Sequence, residues 1–170
     1  MINKKVEDIL NAQINKEFYS AYLYLAMSAY FDEIGLKGFS HWTKVQAREE
    51  VDHGMILFDY IIARNGNVDF KQIDIPDADF HEPLQIFEKI YEHEKSVTSS
   101  IDSVASMSED ECDLATRNFI DWYIAEQVEE EATVYEVIKK LKMFGSDKSI
   151  LYHLDKELGG REYSPHKYEN

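Results

Sequence analysis

Apolar residues recur along this chain at alternating spacings of three and four, the repeat of a helix with one face turned to a core. Four long stretches carry the pattern, at 4–33, 36–65, 83–108 and 112–144, with a short fifth at 147–158. The first stripe reads Leu10, Ile14, Glu17, Ala21, Tyr24, Ser28, Phe31, and the second Phe39, Trp42, Gln46, Glu50, His53, Leu57, Tyr60. The third runs Leu84, Phe87, Tyr91, Glu94, Thr98, Ile101, Ala105, and the fourth Ile120, Tyr123, Gln127, Glu130, Val134, Val137, Leu141. Strand-like alternation does not compete anywhere. Glycine and proline punctuate the gaps, at Gly35 and Gly38, at Gly66, Pro76 and Pro83, at Gly145, and at Gly159-Gly160. Pro83 suits a first helical turn, Ser108-x-x-Glu111 reads as a capping box opening the fourth helix, and Gly145 suits its end.

Loop lengths set the topology. The first and second helices, and the third and fourth, are joined by a few residues each and form antiparallel hairpins. The 65–82 connection could extend ~55 Å at about 3.3 Å per residue, enough to travel the ~45 Å length of a 30-residue helix. The fold class is therefore all-α: an antiparallel four-helix bundle with one long crossover and a short fifth C-terminal helix. It forms a single domain over 1–160, followed by a polar tail, 161–170, expected to be mobile.

Each long stripe is interrupted near its midpoint by glutamate. Glu17, Glu50, Glu94 and Glu130 fall at one level of such a bundle, and no Lys or Arg occupies any stripe. A buried ionised carboxylate is costly unless paired or metal-bound. Two divalent cations would neutralise the four charges, and Glu50-x-x-His53 adds an imidazole on the same helix face. The rival readings are a water-filled polar layer or bridges to arginine from outside the stripes. Oxygen-rich ligation with one imidazole suits Fe(II) or Mn(II), while Zn(II) could bind without redox chemistry.

Charge narrows the partners. The 170 residues contain 18 Lys+Arg against 33 Asp+Glu, a formal net charge of −15. Such a surface repels phosphate backbones and anionic lipid, so neither nucleic acid nor a membrane is an expected partner. The longest uncharged stretch, Phe18 to Phe31, is too short to span a bilayer. A lone Cys112 and a charged N-terminal sequence fit a cytoplasmic protein. That uncharged stretch is apolar all round, which predicts that its outer face is covered by another subunit.

Glu17, Tyr24, Glu50-Val51-Asp52-His53, Glu94 and Glu126-Gln127-x-Glu129-Glu130, on four helices with a long crossover, resemble a bacterial non-haem ferritin over essentially the whole chain. The resemblance implies a ferroxidase and iron store: a homo-oligomeric shell of 24 subunits whose bundles oxidise Fe(II) with dioxygen or hydrogen peroxide and pass ferric iron to an internal mineral. By the same resemblance Glu17, Glu50 and His53 hold the first iron, with Glu50 bridging, and Glu94 and Glu130 hold the second. Gln127 is the polar neighbour that hydrogen-bonds within the site. Glu49, Glu126 and Glu129 match a third iron site, for which a solvated acidic face is the alternative. Tyr24 matches a tyrosine that supplies an electron, or is a core aromatic.

Departures from related families also inform. Helix four offers Gln127-x-x-Glu130 where bacterioferritins have a second Glu-x-x-His, and Asp52 stands where they place a haem-ligating Met, so no haem is expected. One cysteine excludes a rubrerythrin-type second centre. The acidic pair lining three-fold channels in animal ferritins falls on Arg117 and Ile120. A di-metal carboxylate oxidase or peroxidase acting on a small substrate is the alternative function; a DNA-shielding mini-ferritin and an inert bundle stand further off.

Overall fold

A computed structural model describes residues 2–144 and 147–165. Helices account for every regular element among them: α1 (Lys4–Glu33), α2 (Lys37–Ala63), α3 (Pro83–Asp110), α4 (Leu114–Phe119), α5 (Asp121–Phe144) and α6 (Lys148–Leu158). The first three and the last match the expected stretches to within about two residues. Pro83 does open α3; Gly145, expected to end the fourth helix, lies outside the described residues.

The fourth stretch differs from expectation in two ways. It is divided at Ile120, whose carbonyl accepts from both Tyr123 N (3.0 Å) and Ile124 N (3.1 Å), so that α4 and α5 meet through one tightened turn. The capping box is absent as well. Ser108 lies inside α3 and its hydroxyl donates back to the Val104 carbonyl at 2.8 Å, while Glu111 closes α3. After Cys112, in the left-handed region at φ 55°, the cap is Asp113, which accepts from Thr116 N at 3.1 Å. Arg64 donates to both oxygens of Asp113 (3.0 and 3.1 Å), fastening this corner to the end of α2.

The crossover runs lengthwise along α1. At its start Asn11 donates to the Asn67 carbonyl (2.9 Å) and accepts from Asp69 N (2.8 Å). Midway Phe70 packs against Phe18 and Phe58, and at the far end Phe80 lies on Tyr30, whose hydroxyl donates to the His81 carbonyl (2.6 Å). The chain thereby enters α3 parallel to α2.

Inside, two apolar clusters are separated by a polar layer. One gathers Met27, Phe31, Phe39, Trp42, Phe87 and Leu141; the other Leu10, Ile14, Leu57, Ile61, Ile101 and Phe119. Each such side chain contributes roughly 1.5–3 kcal/mol by leaving water. That apolar packing is what can carry buried charge between the clusters.

α6 folds back on the start of α2, burying Leu154 and Leu158 while Ile150 and Tyr152 stay exposed. Asp155 Oδ1 accepts from Gly38 N (2.8 Å) and Phe39 N (3.1 Å), and a Cβ at Gly38 would stand 1.6 Å from the Asp155 carbonyl oxygen. The tail expected to be mobile is tied down at its beginning. Arg161 pairs with Glu49 (2.6 Å) and lies over Trp42, and Tyr163 donates to Asp52 (2.7 Å). On α1, Tyr22 is 55% and Leu25 48% exposed, so the outer part of the uncharged stretch is uncovered in the single chain. No helix among the described residues is long and apolar enough to cross a membrane.

Candidate metal centre

The polar layer is built by register alone. Glu17 sits at the middle of α1, Glu50 and His53 one turn apart on α2, Glu94 on α3, and Gln127 and Glu130 on α5, all within a few per cent of complete burial. Among the described residues, one ligand atom each from Glu17, Glu50 and His53 lies within 4.8 Å of the others, a group that could hold a cation. His53 Nδ1 is 3.8 Å from Glu50 Oε2. Glu94 and Glu130 fall outside that tight group on the α3–α5 side, yet both act electrostatically on Glu50.

Three of the four carboxylates, Glu17, Glu94 and Glu130, have a neutral partner holding one end. Gln13 Nε2 donates to Glu17 Oε1, and Tyr24 OH donates to Glu94 Oε1. Gln127 Nε2 reaches Glu94 Oε2 and Thr98 Oγ1, each at 3.3 Å, and Gln46 Nε2 donates to Glu130 Oε2 at 2.9 Å. Glu17 Oε2 and Glu50 Oε2 are buried without a well-formed hydrogen bond. A buried carboxylate oxygen without a partner costs on the order of 1–3 kcal/mol or more, which a bound cation would recover.

Electrostatics agree with that reading. Burial pushes the Glu17 carboxyl up, against the pull of its polar neighbours. Burial, then the charges of Glu94 and Glu17, lift Glu50 well above the carboxylate range. Burial, then Glu130, moves Glu94 up to about 8. Without a cation the layer favours protons. With one, the same groups supply four negative charges and an imidazole where water is excluded.

Tyr24 is fully buried and edge-on to Trp42, and burial with the Glu94 charge raises its phenol. The three glutamates of the suggested third position are less alike. Glu49 is buried and its carboxyl is raised to about 7 by burial, although Arg161 opposes the rise. Glu126 is half-buried and Glu129 exposed, so the structure does not gather the three into one enclosed group.

Three residues escaped the sequence reading. Tyr123 lies fully buried with its hydroxyl beside Glu17 and its ring 5.0 Å from His53, whereas its stripe position marks it only as core. Gln46 likewise stands on its stripe with nothing in the sequence to give it a role. Gln13 lies off the stripe. A polar residue one helical turn before each candidate ligand would have flagged Gln46 and Gln13, and Tyr123 one turn before Gln127.

Known proteins share this architecture. A family model described as "Ferritin-like domain" matches residues 7–144. A bacterial non-heme ferritin of Bacteroides fragilis is 40% identical over 95% of this chain and 100% of its own length. That of Campylobacter jejuni is 38% identical over 91% and 93%. The open-pore ferritin of the archaeon Archaeoglobus fulgidus superposes with a TM-score of 0.94 at 49% identity, covering 95% of this chain and all of that one.

Proposed function

This chain belongs to the ferritin family, and on that premise we propose that it is an iron-storage protein with ferroxidase activity. Its bundle oxidises Fe(II) at an intrasubunit di-iron site, and the ferric product is deposited as oxyhydroxide mineral inside a hollow homo-oligomeric shell of 24 subunits. The observation that carries the reading is the buried carboxylate layer with one imidazole and, among the described residues, no buried Lys or Arg to balance it. Two Fe(II) are the cations it fits.

In this reading Glu17, Glu50 and His53 hold the first iron, Glu94 and Glu130 the second, and Glu50 lies between them. Gln127, Gln46 and Gln13 keep one oxygen of a carboxylate engaged so that the other faces the metal. Each Fe(II) gives up one electron, two together reducing dioxygen to hydrogen peroxide or peroxide to water. Reduction of the oxidant takes up a proton per iron and hydrolysis of the ferric pair to oxyhydroxide releases more, so that turnover as a whole gives out about two protons per iron with either oxidant. Carboxylates can shift between terminal and bridging binding, so the product can leave. Tyr24, touching Glu94, is positioned to supply a further electron. Glu49, Glu126 and Glu129 form a third, outer iron position on the way out of the bundle. No haem takes part. The working compartment is the cytoplasm, the unit of function is the bundle with α6, and the exposed face of Tyr22 and Leu25 meets a second copy.

The test is Fe(II) added in air to metal-free protein, with ferric absorbance followed over seconds and iron then counted per particle after gel filtration. Fast saturable oxidation and a large iron-loaded particle are expected. Glu50→Ala should cut the initial rate by about two orders of magnitude, at least the loss that follows removal of a residue merely supporting a metal ligand, with the particle size unchanged. A species keeping about two metals, or an unchanged rate in the variant, would overturn the proposal and favour a di-metal oxidase of a small substrate.

A further inference from the structure

One carboxylate of the layer, Glu17, is linked through a serine on another helix to an exposed cationic side chain. Lys16, exposed on α1, donates from Nζ to Ser100 Oγ on α3 at 2.7 Å. Ser100 Oγ donates to Gln13 Oε1 at 2.5 Å, and Gln13 Nε2 donates to Glu17 Oε1. Gln13 is 1% exposed, so its amide has no water to turn toward. The other layer donors, Tyr24, Gln46 and Gln127, are themselves buried.

The direction of this path follows from chemistry. An ammonium group has three donors and no acceptor, so Ser100 must accept from Lys16, and its own proton is left for Gln13 Oε1. With the amide oxygen engaged, the amide NH2 is turned to Glu17. The reversed amide would set oxygen against carboxylate oxygen and leave the Ser100 proton unused. The consequence falls on Glu17: Oε1 is held by Gln13, and Oε2, next to Glu50 and the Tyr123 hydroxyl, is the oxygen left for a cation.

We infer that Lys16, Ser100 and Gln13 form a one-way chain of donors that makes Glu17 a single-oxygen ligand, with Gln13 and Ser100 as positioning residues for the imidazole-bearing iron position. The inference rests on Glu17 being a ligand, as proposed above. It extends the machinery to an exposed residue on one helix and a serine on another, neither of which touches metal.

The experiment is an anaerobic titration of metal-free protein with Co(II), read by visible absorption, with His53→Ala identifying the position that carries the imidazole. Gln13→Met and Ser100→Ala should each weaken that position roughly ten- to hundred-fold, the usual cost of losing a partner behind a metal ligand. The Glu94–Glu130 position, the thermal midpoint and the particle size should stay near wild type. Ser100→Thr, which keeps the hydroxyl, should bind as wild type does. Lys16→Met should act in the same direction, and Lys16→Met with Ser100→Ala should lose no more than Ser100→Ala alone, because links in series are not additive.

Wild-type affinity in Ser100→Ala would overturn the chain. So would a loss in Lys16→Met that neither Ser100→Ala nor Gln13→Met shares, which would mean that the lysine acts only through its charge. Glu17→Gln separates the two levels. If it leaves the imidazole-bearing position intact, the ligand reading itself fails; if it weakens that position while Ser100→Ala does not, only the chain is refuted.

Discussion

Replacing Glu94 by Gln should stabilise the metal-free protein at alkaline pH and leave it nearly unchanged at acid pH. In the folded chain the Glu94 carboxyl, raised by burial and by Glu130, titrates at about 8 instead of the ordinary 4.5. Between those values the folded state keeps a proton that the unfolded state releases, so stability is full below about 4.5 and is lost as pH rises through about 8. At ~1.4 kcal/mol per pH unit the displacement is worth about 5 kcal/mol. For a chain of this size that corresponds to roughly 10–20 °C in thermal midpoint. The amide keeps the Tyr24 hydrogen bond, and Gln127, by turning its own amide, can accept where it now donates. Circular-dichroism melts of chelator-treated wild type and Glu94→Gln at pH 5 and pH 8 would measure this. The wild type should fall further between the two, with the variant the more stable at pH 8. Equal slopes, or a variant less stable at pH 8, would refute the reasoning. Saturating divalent metal should abolish the wild-type decline, because it replaces the proton.

Three further outcomes follow from the same structure. Gly38→Ala should lower stability by roughly 1–3 kcal/mol, the cost of overpacking, since α6 must move to admit the methyl group; an unchanged urea midpoint would show that the contact relaxes freely. Arg161→Gln should tighten binding of a third cation per subunit in equilibrium dialysis with Zn(II), because the guanidinium paired with Glu49 no longer competes for that carboxylate; weaker or equal binding would count against a cation position there. The initial rate of Fe(II) oxidation should fall as ionic strength rises from 0.01 to 0.15 M, since the screening length contracts from about 30 to about 8 Å around a chain of net charge −15; a flat profile would exclude attraction by the overall charge.

The bundle was legible because its information is periodic. A stripe such as Phe39, Trp42, Gln46, Glu50, His53, Leu57 states both that a helix exists and which face it buries, and the glutamates declared themselves by breaking that stripe where no cation could answer them. What remained hidden is local or long-range. The turn at Ile120 leaves the stripe of α5 intact, so no period reports it. Ser108 and Glu111 have the right identities for a cap, but Ser108 bonds back to Val104 within α3, and Asp113 takes the role. Ser100 lies 87 residues from Gln13, and Arg161 lies 112 from Glu49. Pairings of that kind are made by the packing of α3 on α1 and of the tail on α2, which no single helix encodes.

The contact between Gly38 and Asp155 changes what α6 means for the rest of the chain. α2 is preceded by Leu36, which offers no side-chain cap, and the N–H groups of its second and third residues are taken by Asp155 instead. The cap of one helix is thus lent by another 117 residues away. A chain shortened before α6 would fray at Lys37 as well as at its new end. That loosening would begin roughly three to four turns from Glu49, Glu50 and His53, on the helix that carries all three. The last helix is therefore a splint for the second, and its removal would be felt in the middle of the bundle it never enters.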